Sequence, residues 1–173
     1  GVGTLKMSRD LILSAVLVAS CVSFITIPLS GHISDRIGRR KMYLIGAAAT
    51  GLITAGIVVC RDPETGVYNA SYHRLMLAGP NKAGIQLDFG RHLRAAFERA
   101  QSKQQNLPVV VVIGSDLALH YTAATMGSQM PEHADEIAVA GGLCGRPLPV
   151  VKGVSQDLLI PAESEIVLEG RML

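Results

Sequence analysis

The chain has 173 residues, of which 49% are hydrophobic and 17% are charged, with 16 Lys and Arg against 14 Asp and Glu. This length suits one ordinary domain, and the composition excludes a chain that is disordered throughout. The net charge of +2 gives no indication of a nucleic-acid partner. Cys21, Cys60 and Cys144 lie far apart without C-x-x-C spacing, which argues against a zinc site or a disulfide framework. The three thiols are therefore expected to be reduced and mostly buried.

Charge is distributed unevenly along the chain. Residues 1–58 carry six basic and two acidic side chains, for a net charge of +4, and are otherwise strongly apolar. Residues 59–173 carry ten basic and twelve acidic side chains, for a net charge of −2. We therefore predict two parts, residues 1–58 and residues 59–173.

Two long uncharged runs occupy the first part. Residues 11–29, LILSAVLVASCVSFITIPL, form a run of 19, and residues 43–59 form one of 17 that is rich in Gly and Ala. A membrane helix needs ~17–25 such residues, so we predict a hairpin of two membrane helices and membrane association through residues 11–59. The alternative is two buried helices of a soluble core. A signal peptide fits less well, because the first run is long, follows Asp10 and has no small-x-small cleavage site before Pro28.

The loop between these runs, GHISDRIGRR at residues 31–40, resembles the loop signature of major facilitator transporters. The flanking segments SRDLILSAVLVAS and KMYLIGA resemble the metabolite:proton symporter branch of that family, which carries small organic acids. In such a loop, Asp35 can pair with Arg39 or Arg40. The alternative is an anchor whose basic residues only set the membrane topology. Since these transporters need about six helices per half, two helices make at most a transporter fragment.

The second part alternates turn signals with short periodic segments, which predicts an α+β fold because regular βαβ spacing is missing. The first predicted helix after residue 114 begins at a typical capping residue, either Ser115 or Asp116. The predicted elements are a turn at 61–66, a strand at 68–77, helices at 90–104, 116–126 and 133–143, and strands at 108–114, 148–152, 157–160 and 165–171.

Five blocks of the second part resemble the UbiD family of decarboxylases, in the order and at about the spacing of that family. They are CRDPETGVYNASYHRLML, GRHLRAAFERA, LPVVVVIGSD, DEIAVAGGLCGRPLPVVKG and LLIPAESEIVLEG. The resemblance implies part of the family's central domain, a split β-barrel of the flavin-reductase type. It also implies non-oxidative decarboxylation of an aromatic or α,β-unsaturated carboxylic acid, with prenylated FMN, a divalent metal (usually manganese) and often potassium. A cytoplasmic location and a homo-oligomer in the intact family are implied as well.

The resemblance places the family's metal and phosphate site on Asn69, His92 and Glu136. An amide oxygen, an imidazole and a carboxylate can together bind manganese that bridges to a flavin phosphate. Without the resemblance, His92 would be interpreted as an ordinary histidine on a helix surface.

Further site residues follow from the same resemblance. Arg74 matches the family's active-site arginine, expected to bind the substrate carboxylate, although a solvated strand arginine is the alternative. On a straight strand Asn69 and Arg74 would face opposite sides, so a shared pocket requires a bulge or strong twist. The pair Met130–Pro131 is expected to line the flavin. Glu165 and Glu169 alternate with apolar residues, which predicts a solvated strand face.

The family's catalytic glutamates are expected beyond EIVLEG, so we predict impaired activity for this chain alone. The two parts also conflict in topology. If the basic residues 36–41 stay cytoplasmic, two spanning helices return residue 60 to the outer side. We therefore hypothesise that the chain joins parts of two neighbouring genes, a symporter for aromatic acids and a decarboxylase. The other hypotheses are a membrane-transport fragment with a passenger, and a non-catalytic fragment that adds strands to a partner through open sheet edges.

Overall fold

The computed structural model describes residues 9–125, 129–131 and 133–173. The chain divides into two compact units, Gly1–Ile45 and Gly46–Leu173. Helix α1 (Arg9–Ile37) dominates the first unit. Within α1, the 22-residue stretch Val16–Ile37 has a mean hydropathy of 1.8 and is long and apolar enough to cross a membrane. Gly38, with φ of +95°, ends α1 before helix α2 (Arg39–Thr50) begins.

The second predicted membrane helix, over residues 43–59, is wrong. Helix α2 ends at Thr50, and the chain continues as strands β1 (Leu52–Ile53) and β2 (Ile57–Arg61). The β-branched run at the start of β2 favours an extended backbone, and Val58 and Val59 are only 1% and 0% exposed. An uncharged run of this length fits a buried strand as well as a helix. The boundary predicted between residues 58 and 59 therefore falls inside a strand.

A four-stranded antiparallel sheet forms the centre of the second unit. Its strand order is β3 (Tyr68–Tyr72), β2, β6 (Leu107–Ile113), β9 (Ile166–Met172). Successive side chains point to opposite faces of a strand, and each face of this sheet is buried. On one face, Val58, Cys60 and Val111 pack against helix α3 (His92–Ser102). On the other, Val59, Val110 and Val112 pack against helices α4 (Leu117–Ala124) and α5 (Glu136–Leu143).

Two smaller antiparallel sheets complete the unit. One contains β1, β4 (Leu75–Gly79) and β5 (Lys82–Ile85), and the other contains β7 (Val150–Lys152) and β8 (Leu159–Pro161). The α+β prediction is confirmed, but the sheets of the described residues do not close into a barrel. The single strand predicted over residues 68–77 is also wrong. It breaks at His73 and Arg74 into two strands that belong to different sheets.

Local capping signals position the helices of this unit. The Asp116 side chain accepts a hydrogen bond from the Ala118 amide at 2.7 Å, which settles the choice between Ser115 and Asp116 as the cap of α4. The predicted end of that helix, Met126, lies outside the described residues. Asp135 caps α5, so this helix begins three residues later than the predicted residue 133. The helix predicted over 90–104 and the strand predicted over 108–114 are confirmed as α3 and β6.

Candidate functional site

Asn69 lies on β3, at the edge of the four-stranded sheet, and is 7% exposed. An edge strand leaves every second backbone amide without a partner in the sheet. The amide of Ala70 is one of these, and it donates to Glu136 Oε2 at 3.2 Å. Asn69 Nδ2 donates to Glu136 Oε1 at 2.9 Å. Strand β3 therefore presents two donors to one carboxylate.

Glu136 is the first residue of α5, directly after the capping residue Asp135, and it is only 3% exposed. Burial raises the pKa of Glu136, although the backbone hydrogen bonds and the nearby His92 act in the opposite direction. A buried carboxylate of this kind is costly unless a proton or a cation accompanies it.

His92 is the first residue of α3, which packs on the sheet through Leu93, Ala96 and Ala100. Its Nδ1 lies 3.5 Å from Glu136 Oε1, and its side chain is 19% exposed. The structure thus brings together Asn69, His92 and Glu136 from three different elements. Asn69 and His92 line a small cleft together with Asp62 and Arg99, which form an ion pair.

This cluster suits a divalent cation. It offers an imidazole nitrogen, a carboxylate and an amide oxygen, which is a donor set that manganese accepts. Within the described residues, no group of three or more His, Cys, Asp and Glu side chains is placed to hold a metal. Asn69 is therefore essential to any cation site here. Its amide oxygen must turn toward Glu136 for this purpose, because the amide nitrogen faces the carboxylate in the structure.

Arg74 lies in the two-residue link between β3 and β4, where its side chain is exposed. In the described part of the chain, no hydrogen bond or ion pair joins Arg74 to the Asn69 cluster. The strand ends between Asn69 and Arg74, so the two residues do not lie on one straight strand, and a pocket shared by them stays a prediction.

Met130 and Pro131 precede α5, with Met130 half-buried and Pro131 exposed. The Pro131 carbonyl accepts a hydrogen bond from the Ala134 amide at 2.9 Å. Ala134 itself lines the cleft beside Asn69 and His92. A role for Met130 and Pro131 against a flavin stays a prediction.

The structure adds two polar residues that the sequence did not single out. Ser71 and His73 are 8% and 6% exposed and continue the face of β3 on which Asn69 lies. Ser71 Oγ is 3.1 Å from both Asn69 Oδ1 and His73 Nε2. Period-two spacing from Asn69 was the available signal, since alternate strand residues share one face.

The predicted solvated strand face at Glu165 and Glu169 is met only in part, since both residues are half-exposed and Glu165 lies just before β9. Glu169 accepts hydrogen bonds from the amides of Val154, Ser155 and Gln156, and these bonds, with the Ser155 hydroxyl, lower its pKa to about 2. Its carboxylate therefore organises the loop before β8. Glu165 Oε2 is buried, and within the described residues it has no hydrogen-bond partner.

Together, the fold and the site define a small α+β domain in which an amide, an imidazole and a carboxylate meet beside the edge strand β3. A family model described as UbiD, 3-octaprenyl-4-hydroxybenzoate carboxy-lyase Rift-related domain, matches residues 47–173. The chain therefore belongs to the UbiD family. The match begins before residue 59, and the transporter resemblance of residues 1–58 stays a prediction.

Among curated proteins, the anhydromevalonate phosphate decarboxylase of Methanothermobacter thermautotrophicus is 36% identical over 121 residues, covering 70% of this chain and 27% of that protein. The enzyme of the same name from Methanosarcina mazei is 40% identical over 118 residues, covering 68% of this chain and 26% of that protein. The chain thus spans about a quarter of the length of the curated relatives it matches.

Solved structures of UbiD-class enzymes support the same family assignment. The UbiD-class enzyme HmfF from Pelotomaculum thermopropionicum, in complex with FMN, is 37% identical with a TM-score of 0.63, covering 69% of this chain and 26% of that chain. Vanillic acid decarboxylase from Sedimentibacter hydroxybenzoicus is 28% identical with a TM-score of 0.64, covering 69% and 26%. An evolved dimeric form of HmfF was solved with prFMN.

Proposed function

We propose that this chain supplies the metal- and flavin-binding part of a UbiD-type decarboxylase acting on an aromatic or α,β-unsaturated carboxylic acid. The observation that carries the proposal is the contact of Asn69, His92 and Glu136, which are separated by 23 and 44 residues in sequence. Since residues so far apart in sequence cannot meet through local structure, the tertiary fold must bring these polar and charged side chains together. The flavin-bound relatives support the choice of cofactor.

In this proposal, Asn69, His92 and Glu136 would hold Mn²⁺ and, with it, prenylated FMN, with potassium as an additional cation. Met130 and Pro131 line the flavin, and Arg74 binds the substrate carboxylate with its two-pronged guanidinium. Prenylated FMN supplies the electron sink for loss of carbon dioxide. The intact protein is proposed to be a homo-oligomer.

Cofactor retention tests this proposal. The full chain is co-expressed with a prenyl-FMN synthase, purified with Mn²⁺, and examined by visible absorption. We expect flavin absorbance in the wild type and in His133→Ala, which removes an exposed histidine. His92→Ala should lose that absorbance. Equal flavin retention in His92→Ala and the wild type would contradict the proposed site, as would no flavin in any of the three.

We also propose that α1 anchors the chain in a membrane. Its 22-residue apolar stretch is about 33 Å long at about 1.5 Å per residue, close to the ~30 Å hydrocarbon thickness. The hydroxyls of Ser20, Ser23 and Ser30 donate to carbonyls four residues earlier, so they need no water. Large apolar side chains along the helix are exposed, such as Phe24 at 83%.

A single span removes the topological conflict of the predicted hairpin. Arg36 lies in the last turn of the apolar stretch, and Arg39, Arg40 and Lys41 directly follow it. Because such residues favour the cytoplasmic side, everything after them stays cytoplasmic, where flavin is available. With α1 as the one crossing, the decarboxylase-like part and its cofactor share a compartment.

The native cysteines test this arrangement. Cys144 is exposed, whereas Cys60 is buried. A membrane-impermeant maleimide should label Cys144 in inside-out vesicles and not in intact spheroplasts, with Cys144→Ser as the control. Release of the chain by alkaline carbonate, or labelling of Cys144 in intact spheroplasts, would contradict a single span with a cytoplasmic domain. Uptake of an organic acid that depends on the chain would instead favour the transporter hypothesis.

A further inference from the structure

A buried polar chain leads away from the candidate cation site along β3. Asn69, Ser71 and His73 stand at every second position and are 7%, 8% and 6% exposed. Four hydrogen-bond contacts link these side chains in a row. Gln86 O lies 3.1 Å from His73 Nδ1, and His73 Nε2 lies 3.1 Å from Ser71 Oγ. Ser71 Oγ lies 3.1 Å from Asn69 Oδ1, and Asn69 Nδ2 lies 2.9 Å from Glu136 Oε1.

The hydrogen atoms available for these four hydrogen bonds can be counted. The Gln86 carbonyl only accepts, so His73 must carry its hydrogen on Nδ1. Burial lowers the pKa of His73, and Arg91 lowers it further, against the opposing effects of the Gln86 carbonyl and Asp88. His73 is therefore neutral at neutral pH, and its bare Nε2 can only accept. Ser71 has one hydroxyl hydrogen and two acceptors within reach, namely Asn69 Oδ1, to which it donates in the structure, and His73 Nε2.

One of the four contacts is left without a hydrogen atom. The orientation of the Asn69 side-chain amide determines which contact this is. If Nδ2 faces Glu136, the Ser71 hydroxyl donates to Asn69 Oδ1 as in the structure, and the contact between Ser71 Oγ and His73 Nε2 is left without a hydrogen. If the amide is turned over, Nδ2 donates to Ser71 Oγ and every contact on that side is satisfied. The gap then lies between Asn69 Oδ1 and Glu136 Oε1, beside His92 Nδ1. A cation placed there fills it, because both oxygens are ligands.

We propose that His73 is a positioning residue which, through Ser71, turns the oxygen of Asn69 toward His92 and Glu136 and so prepares the cation site. The inference rests on the proposed function of that site. When His73 accepts the Ser71 hydrogen, Ser71 Oγ can only accept a further hydrogen bond. The amide nitrogen of Asn69 then turns toward Ser71, and the amide oxygen turns toward Glu136. Partners behind a metal ligand commonly change metal affinity 10–100-fold when they are removed.

Removing His73 reverses this preference. In His73→Phe the Ser71 hydroxyl is free to donate to Asn69 Oδ1, which holds the amide oxygen away from the cation. We expect Mn²⁺ affinity of the full chain, measured from the free-ion EPR signal, to fall about tenfold or more. In the double variant Ser71→Ala/His73→Phe the competing hydroxyl is gone, so most of the affinity should return. A purely structural role for His73 predicts no such recovery.

The outcomes separate this inference from the proposed function. Wild-type affinity in His73→Phe, or a double variant as weak as His73→Phe, overturns the role of His73 while the cation site stands. Absence of Mn²⁺ binding in the wild type overturns both. A metal-independent readout is the ¹⁵N spectrum of His73, for which we expect a protonated Nδ1 and an unprotonated Nε2 at neutral pH. Two protonated nitrogens would overturn the hydrogen count on which the inference is built. His133→Ala controls for loss of an exposed histidine.

Discussion

Leu93 tests whether packing of α3 on the sheet stabilises the second unit, and with it the position of His92. It follows His92 on α3, is 0% exposed, and packs in the same core as Val58 and Val111. Leu93→Ala removes three carbon groups worth about 0.8 kcal/mol each on transfer from water, or about 2.4 kcal/mol together. The sheet cannot collapse fully into the space, so a cavity term raises the expected loss to about 3–4 kcal/mol. Leu117→Ala, at a position 83% exposed, should cost less than about 0.5 kcal/mol.

Cys60 provides the assay. It is 0% exposed on β2, and burial raises its pKa to about 12, so it reacts with thiol reagents only when the second unit opens. Cys21 and Cys144 are exposed and are first replaced by serine. In that background, Leu93→Ala should label at Cys60 about 100-fold faster than Leu117→Ala, since each 1.4 kcal/mol is tenfold. A difference below about tenfold would refute the packing assigned to α3.

Two further predictions concern loops. The pKa of Glu169 in the folded chain, about 2, lies below its ordinary value of 4.5. The hydrogen bonds from the amides of Val154–Gln156 to its carboxylate should therefore be fully formed above pH 4.5 and lost as the pH falls through about 2. The amide shifts of these residues report this by NMR, and a pH-independent loop would contradict it. Gly114, at φ +69°, would place a Cβ 2.9 Å from the Glu165 side chain, whereas Gly66, at φ +73°, has open space. Because the Glu165 side chain can turn aside while both positions keep a positive φ, Gly114→Ala and Gly66→Ala should each destabilise the chain by about 1 kcal/mol in urea unfolding, and a much larger loss at Gly114 would contradict this.

Local patterns predicted much of the fold. The apolar stripe of α3, the short valine run of β6 and the capping aspartate of α4 are each decided by neighbouring residues, which a sequence displays directly. The uncharged run at residues 43–59 was ambiguous for a physical reason. A strand buried on both faces and a membrane helix share the same lack of charge, and only the sheet distinguishes them.

The candidate site was less accessible to sequence reasoning. Spacing alone does not bring Asn69, His92 and Glu136 together, since they lie on a strand and two helices. The family resemblance implied the grouping, and the structure places the three in contact. The break after β3 was not predicted, because the aromatic and alternating pattern of residues 68–77 continues across it. Ser71 and His73 were missed although their period-two spacing from Asn69 is visible in the sequence.

The central claim is that Asn69, His92 and Glu136 bind one divalent cation jointly. The most direct measurement is a Mn²⁺ titration of the full chain, followed by EPR, for the wild type, the three single alanine variants and His133→Ala. We predict one site in the wild type and in His133→Ala, with affinity lowered at least about tenfold by each alanine at the cluster. Mn²⁺ binding that is unchanged by all three substitutions, or absent from the wild type, would contradict the account.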